Sequence, residues 1–484
     1  MPDETRTVVV IGAGFSGAMV TAHLLRREHT ALLRVVLVNK SGPIARGVAY
    51  GTRQSRHVLN VPAGRMSAFP AEEDHFLRFV QAREPDTTGG TFVPRSTYGD
   101  YLASVLHEAA QRGGHATLTH VQDEARRIDL VSEDGPALVT LASGRIITAD
   151  RVVLALGNYT PSNPPLADGS FYESARYIRD PWTPGVLQDV PADRPVLLIG
   201  TGLTMLDVAL DLSQGGRTAP LVAVSRRGLT PLPHRDHGSP PSYGHLPPDL
   251  VAVEPTAVAC LRAVRRHVRM LERAGVDWRE VVASLRPVTV RLWKALPNRE
   301  KARFLRHLRP YWDVHRHRVA PDLWRAYDGL RQCGDLQVRA GRLVSITDVG
   351  EDVSVAFRPR GRRVADELRV ARVINCTGPE GDVRALQDPL INQVVADGLA
   401  RPDALGIGLQ VTDDLACITA DGRRSSVLSL VGPLLKGAFW EATAVPELRV
   451  HAATAAARLH RELEASLPSL RRRREPGVVP SLRA

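Results

Sequence analysis

The sequence predicts an α/β fold of two open parallel-sheet units, the second inserted into a discontinuous first. Three observations predict it. A β-branched run near the N-terminus ends in a glycine turn followed by a small-residue helix; the same arrangement recurs from Pro195; and two strand-then-glycine segments, Val152–Gly157 and Arg372–Gly378, bracket the second copy as a matched pair. A chain of 484 residues is about twice an ordinary domain and can bury two large cores.

In the first unit, Thr7–Ile11 (TVVVI) reads as a strand buried on both faces. Gly12-Ala13-Gly14-Phe15-Ser16-Gly17 follows, then the apolar run Ala18–Leu25. In this spacing the first glycine makes the tight turn, the second lets a pyrophosphate approach the N–H groups at a helix N-terminus, and the third permits close helix-on-strand packing. Phe15 and Ser16 complete the turn. The next strand, Leu33–Val38, runs into Asn39 and Lys40, at the position where an acidic side chain ordinarily grips the adenosine ribose. An amide still accepts one hydroxyl bond, so Asn39 and Lys40 stand as cofactor-binding candidates without the usual carboxylate.

In the second unit, Val196–Ile199 leads into Gly200-Thr201-Gly202-Leu203-Thr204 and an apolar helix through Leu212, with Met205 where a third glycine is expected. The following strand, Leu221–Val224, runs into Ser225-Arg226-Arg227. Guanidinium groups at a ribose selector form bidentate contacts to a 2′-phosphate, which favours NADPH over NADH; a solvated basic loop is the alternative. Gly157 and Gly378, at the crossings, are cofactor-facing candidates by the same logic. The architecture is therefore two Rossmann-like dinucleotide-binding domains, the nicotinamide domain inserted in a discontinuous FAD domain. The expected boundaries are 1–165 for the first part of the FAD-binding domain and 166–345 for the NAD(P)H-binding domain with a basic helical insertion. Residues 346–465 form the second FAD part and 466–484 a basic tail containing Arg471–Arg474, expected to be disordered.

Composition narrows the function classes. The charge of +11 comes from scattered arginines without aromatic-interleaved recognition motifs, so no nucleic-acid partner is expected. Cys260, Cys333, Cys376 and Cys417 show no C-x-x-C spacing, which disfavours a dithiol reductase. His315 and His317 lack a carboxylate or cysteine set at ligand spacing, so no metal is expected. No apolar run is long enough to span a bilayer and no leader precedes the first strand, so the expected location is the cytoplasm, without a membrane partner. The G-x-S-x-G elbow and the P-loop are absent.

Several strings carry a resemblance: Gly47-Val48-Ala49-Tyr50, His57–Pro70, Val93–Leu102, the Gly200 turn, Arg303–Arg318, and Val431-Gly432-Pro433 through Phe439-Trp440-Glu441. In these the chain resembles the FAD/NAD(P)-binding proteins of the bacterial YdhS type and, more distantly, NADPH-dependent flavin monooxygenases such as the ornithine and lysine N-hydroxylases. The resemblance implies that Gly432 and Pro433 bring backbone N–H groups near the flavin, that Tyr50 belongs to the cofactor site, and that Asn60–Ser67 walls the isoalloxazine pocket. Asn60, Arg65 and Ser67 are the candidate catalytic residues: Asn60 and Ser67 as hydrogen-bonding groups, Arg65 as an anion or nicotinamide-phosphate contact. Arg95, Tyr98 and Tyr101 share a helix face, either at the site or packed beneath it. Arg316, His317 and Arg318 line the cleft or form a solvated face.

With FAD and NADPH as cofactors, hydride passes to the flavin, and the electron acceptor decides the class. The leading expectation is a monooxygenase acting on a small nucleophilic substrate, with O2 as second partner, through a flavin C4a-(hydro)peroxide. The alternatives are an FAD-dependent dehydrogenase or reductase without oxygen insertion, and a low-turnover dinucleotide-binding redox sensor.

Overall fold

The computed structural model describes residues 5–52, 54–236, 244–250 and 252–466, so Arg471–Arg474 lie outside the described residues. The first sheet has six strands. Arg6–Ile11 pairs in parallel with Leu33–Asn39 on one side and Arg151–Leu154 on the other. Ala116–Gln122 extends the sheet beyond Leu33–Asn39, Arg424–Leu430 extends it beyond Arg151–Leu154, and the short antiparallel Ala416–Ile418 forms the edge. Val8, Val9 and Val10 are all fully buried, which explains why this strand reads as a continuous apolar run: beyond its sheet neighbours it packs against the helix Phe15–Leu25 and the strand Ile146–Ala149. An antiparallel meander, Ala125–Leu130, Ala137–Leu141 and Ile146–Ala149, fills the connection before Arg151 and shows the alternating burial of a sheet with one wet face.

The second sheet is centred on Val196–Ile199, flanked in parallel by Leu221–Ser225 and Arg372–Asn375, with Tyr177–Ile178 beyond the latter. Leu336–Val349 pairs in parallel with Leu221–Ser225 through its first half and antiparallel with Asp352–Pro359 through its second, with a register shift between Leu343 and Ser345. The boundary expected between 345 and 346 therefore falls inside a strand. One fourteen-residue strand changes partner at a bulge, and the chain stays in the second sheet to Asn375. The connection from Ser225 to Leu336 carries helices from Ala257–Glu272 to Pro321–Gln332, and these reach the first unit: Trp293 stacks on Trp440 at 4.7 Å and donates its indole N–H to the Gly437 carbonyl at 2.9 Å. No helix among the described residues is long and apolar enough to cross a membrane.

The two crossings run side by side. Tyr159 and Glu380 form an antiparallel bridge, and buried Asn375 donates from Nδ2 to the Ser162 carbonyl at 2.9 Å and to the Tyr177 hydroxyl at 3.1 Å. Each crossing also abuts a glycine turn in the same way. A Cβ on Gly12 (φ +103°) would lie 2.3 Å from the Ala155 carbonyl oxygen, and one on Gly200 (φ +112°) would lie 2.5 Å from that of Cys376. Only glycine fits such a backbone approach. We expect Gly12→Ala to cost about 2–4 kcal/mol in urea unfolding, since strain and a backbone clash combine. Gly144→Ala, at φ +85° with nothing described within 4 Å, should cost only about 1 kcal/mol.

Candidate functional site

The two glycine turns have nearly the same cap geometry. Gly14 precedes the helix Phe15–Leu25 at φ −74°, ψ −165°, and Gly202 precedes Leu203–Leu212 at φ −86°, ψ −165°. Among the described residues neither helix has a side-chain cap or an acid in its first turn. The first N–H groups of both helices are thus left for an anion, aided by the helix dipole. A Cβ on Gly202 would meet no described atom within 4 Å, so a ligand has room to approach its backbone. Gly432, at φ +106°, lies over the first turn, where an added Cβ would sit 3.5 Å from Ser16 Oγ, and the turn Pro433–Gly437 leads away from it. Gly157 and Gly378 also take positive φ, +74° and +84°, beside open space.

The selector positions differ in detail from their sequence reading. Asn39 is buried and donates from Nδ2 to the carbonyls of Ser41 at 3.1 Å and Gly42 at 2.9 Å, which spends its donor and leaves Oδ1 as an acceptor. Lys40, just past the end of the strand, turns away to an ion pair with Glu124 at 2.8 Å, its side chain 69% exposed. In the second unit Thr201 and Ser225 join by their hydroxyls at 2.8 Å, Thr201 also donates to the Leu229 carbonyl, and Ser225 Oγ accepts the Gly228 N–H at 3.0 Å. These bonds fix the loop that presents the arginines. Arg226 is exposed, whereas Arg227 lies over the Tyr311 ring at 4.9 Å and donates to the Arg306 carbonyl at 3.3 Å.

A cavity of about 240 Å³ opens where the units meet. Its walls are Tyr50, Asn60–Pro62, Arg65 and Met66 from the first unit, Leu203 from the second glycine helix beside Thr204, His234, the turn Arg316–Arg318, and the strap Glu441–Pro446. Five arginines and one carboxylate line it: Arg65, Arg95, Arg286, Arg316 and Arg318 against Glu441. Arg95, at the start of helix Arg95–Gln111, donates to the Val58 carbonyl at 3.1 Å and pairs with Asp207 of the second glycine helix at 2.8 Å. One turn further, Asp211 takes a bond from buried His57 at 2.9 Å. These pairs fix the second helix against the first unit.

Glu441 receives Arg316 at 3.0 Å and the Trp312 indole N–H at 2.9 Å. Burial alone would raise its carboxyl, but Arg316, His317 and Arg286 outweigh that and hold it below the usual range. Arg286 is matched to Glu447 at 2.7 Å. Arg318 is not so matched. It is 3% exposed, and its Nε and Nη1 have no hydrogen-bond partner among the described residues. Burial, then repulsion by Arg316 and Arg279, pushes it down to about 10. A buried guanidinium without a counter-ion is costly, and an anion in the cavity relieves that cost. His234 is pushed to about 3 by burial and by Arg318, so it is neutral and donates from Nε2 to the Asn60 carbonyl at 3.0 Å.

Of the candidate catalytic residues, Asn60 and Arg65 line this cavity and Ser67 does not. The 3-10 turn Ala63–Arg65 rotates Ser67 into the core, fully buried, where its hydroxyl bonds both the carbonyl and the N–H of Phe69 at 3.1 Å. Arg95 reaches the cavity, while Tyr98 and Tyr101 pack against Phe76 beneath it. His315 caps the Tyr311 carbonyl at 2.7 Å and joins no ligand cluster among the described residues. His234, Asp207 and Asp211 escaped the sequence reading, because their role depends on which helix faces which.

Residues 9–159 match the family described as FAD-NAD(P)-binding. No curated protein gives a significant match. Among solved structures, the chain is similar to the ornithine N-hydroxylase of Kutzneria sp. 744, with TM-score 0.63 and 15% identity over 95% of this chain and 100% of that one. It is also similar to the L-lysine 6-monooxygenase of Pseudomonas syringae, with TM-score 0.62 and 15% identity over 94% and 99%. The FAD-bound cadaverine monooxygenase of Erwinia amylovora gives TM-score 0.61 and 13% identity over 95% and 94%. These likenesses show a shared two-unit fold across nearly the whole chain.

His234 carries a pH dependence. Its folded pKa lies below the ordinary histidine value of 6.5, so the unfolded chain binds the extra proton. The resulting stability is full above about 6.5 and is lost as the pH falls toward about 3. Between pH 7 and about pH 4.5, His234→Gln should lose about 2 kcal/mol less stability than the wild type, read from urea midpoints at both values.

Proposed function

We propose that this protein is an FAD-dependent, NADPH-consuming monooxygenase acting on a small substrate in the cavity between its two units. One observation carries the reading: a single cavity is walled by Asn60–Met66 and Glu441–Pro446 from the first unit and by Leu203 at the N-terminus of the second glycine helix. Two dinucleotides seated on the two turns would bring their reactive rings to that common space. The residues fit such ligands. Uncapped helix N-termini face both turns, Asn39 keeps an acceptor for a ribose hydroxyl, Arg226 is an exposed cation at the second selector, and Gly432 closes over the first turn.

Bound FAD would supply two-electron chemistry and a site for activating O2; the chain supplies position and electrostatics. Thr201 and Ser225 hold the selector loop, and Arg226 binds the 2′-phosphate. Asn60 is fixed through its carbonyl by His234, which leaves its side chain to orient a ring or substrate. Arg318 stabilises negative charge in the cavity, and the strap Glu441–Pro446 excludes water from one side. The fold relatives act on ornithine, lysine and cadaverine. Arg316, Arg286 and Arg95 are engaged by Glu441, Glu447 and Asp207, whereas buried Arg318 has no ion-pair partner among the described residues, so this cavity suits a substrate bearing an anionic group better than a bare diamine. Four free cysteines accord with a cytoplasmic, reducing location.

Two measurements test the reading. Arg226→Ala should weaken NADPH by about tenfold or more while changing NADH little, since a charge-assisted contact is worth about 1.5–3 kcal/mol. Arg227→Ala should have the smaller effect, because Tyr311 and Arg306 already engage it; equal losses for both nucleotides would remove the phosphate clamp. Turnover under labelled O2 should place one labelled oxygen atom in the product. Unlabelled product formed at undiminished rate without O2 would transfer the protein to the dehydrogenase reading.

A further inference from the structure

Far from the cavity, the last helix, Val445–Ala465, packs along the first glycine helix, Phe15–Leu25. Beyond the C-terminal end of Phe15–Leu25, His29, His460 and Glu464 converge, each bringing one potential ligand atom within 4.8 Å of the other two. His460 and Glu464 are one turn apart on the last helix and share a face.

The environment prepares these atoms. His29 Nε2 lies 2.8 Å from the Leu24 carbonyl, to which it can only donate, so neutral His29 presents a bare lone pair at Nδ1. A backbone carbonyl holding the far ring nitrogen is the support that metal-bound histidines ordinarily receive. His460 Nδ1 stands 3.3 Å from that lone pair. Two nitrogens bound at about 2.0–2.1 Å to one tetrahedral ion are separated by about 3.3–3.4 Å. Glu464 Oε1 is 3.9 Å from His29 Nδ1 and is anchored by the Thr30 N–H at 3.1 Å.

We propose that His29, His460 and Glu464 bind one divalent ion of the zinc class, which clips the last helix to the segment after the first glycine helix. Two imidazoles and one carboxylate suit Zn2+, Ni2+ or Cu2+ and give little hold on Mg2+ or Ca2+, which take oxygen cages. A fourth position is left for water. The clip joins parts of the discontinuous first unit that are 431 residues apart in the chain, so no local spacing could reveal it.

The test uses untagged, chelator-stripped, full-length protein titrated with Zn2+ by calorimetry, with Mg2+ as a second arm. One Zn2+ per chain should bind with Kd below about 1 µM, and Mg2+ should give no saturable heat. His460→Gln, at a half-buried helix position, should weaken Zn2+ by at least about tenfold while leaving the circular dichroism spectrum unchanged. It should also remove the visible bands of four-coordinate Co2+ seen in the wild type. Saturating Zn2+ should raise the wild-type Tm by about 3 °C and that of the variant less. Failure to bind Zn2+ stoichiometrically, or binding equal in His460→Gln and wild type, overturns the proposal and leaves the 3.3 Å contact as a hydrogen bond between two histidines.

Discussion

The pairing of Arg95 with Asp207 is the contact on which the site depends. Asp207 is the fifth residue of the second glycine helix, and Arg95 opens a helix of the first unit, so their 2.8 Å ion pair sets where the second helix N-terminus points. The bond from His57 to Asp211 repeats the contact one turn on. Both pairs are largely buried, so removing one partner leaves a charged or polar group stranded, at a cost of about 3–5 kcal/mol for the ion pair. Inter-domain contacts are ordinarily polar and permit relative motion. Here they are placed beside the cavity, so the orientation of the two units and the geometry of the site are the same quantity.

Much of the fold was legible because its signals are local. The TVVVI run reads as a doubly covered strand because Val8–Val10 have no solvent face, and both glycine turns announce themselves because Gly12 and Gly200 must let a carbonyl pass where a Cβ would sit. The boundary at 345 was not legible. Leu336–Val349 changes from a parallel to an antiparallel partner at a bulge, and nothing in its composition marks that switch. The burial of Ser67 is hidden from the sequence for a similar reason: the segment Asn60–Met66 reaches the cavity, and one 3-10 turn then carries the next hydroxyl inward. His234 and the two aspartates lie on elements whose facing is a tertiary fact.

The charge of the cavity explains more of its chemistry than its shape does. Arg316 is neutralised by Glu441, Arg286 by Glu447 and Arg95 by Asp207, while Arg318, which lines the same cavity, keeps a buried guanidinium whose Nε and Nη1 have no hydrogen-bond partner among the described residues. Such a group is tolerated where a bound species completes it. A reduced ring, a phosphate or an acidic substrate would each do so, and each is a ligand of the proposed reaction. The neutral His234 keeps Asn60 in place without adding a further positive charge.

The central claim is that two dinucleotides meet in the cavity between the units, and anaerobic mixing of FAD-loaded protein with NADPH tests it most directly. Bleaching of the oxidised flavin band within the mixing experiment, at a rate that saturates with NADPH and is slower with NADH, is the predicted result. Protein that retains no FAD, or that retains it without accepting hydride from either nucleotide, would contradict the account.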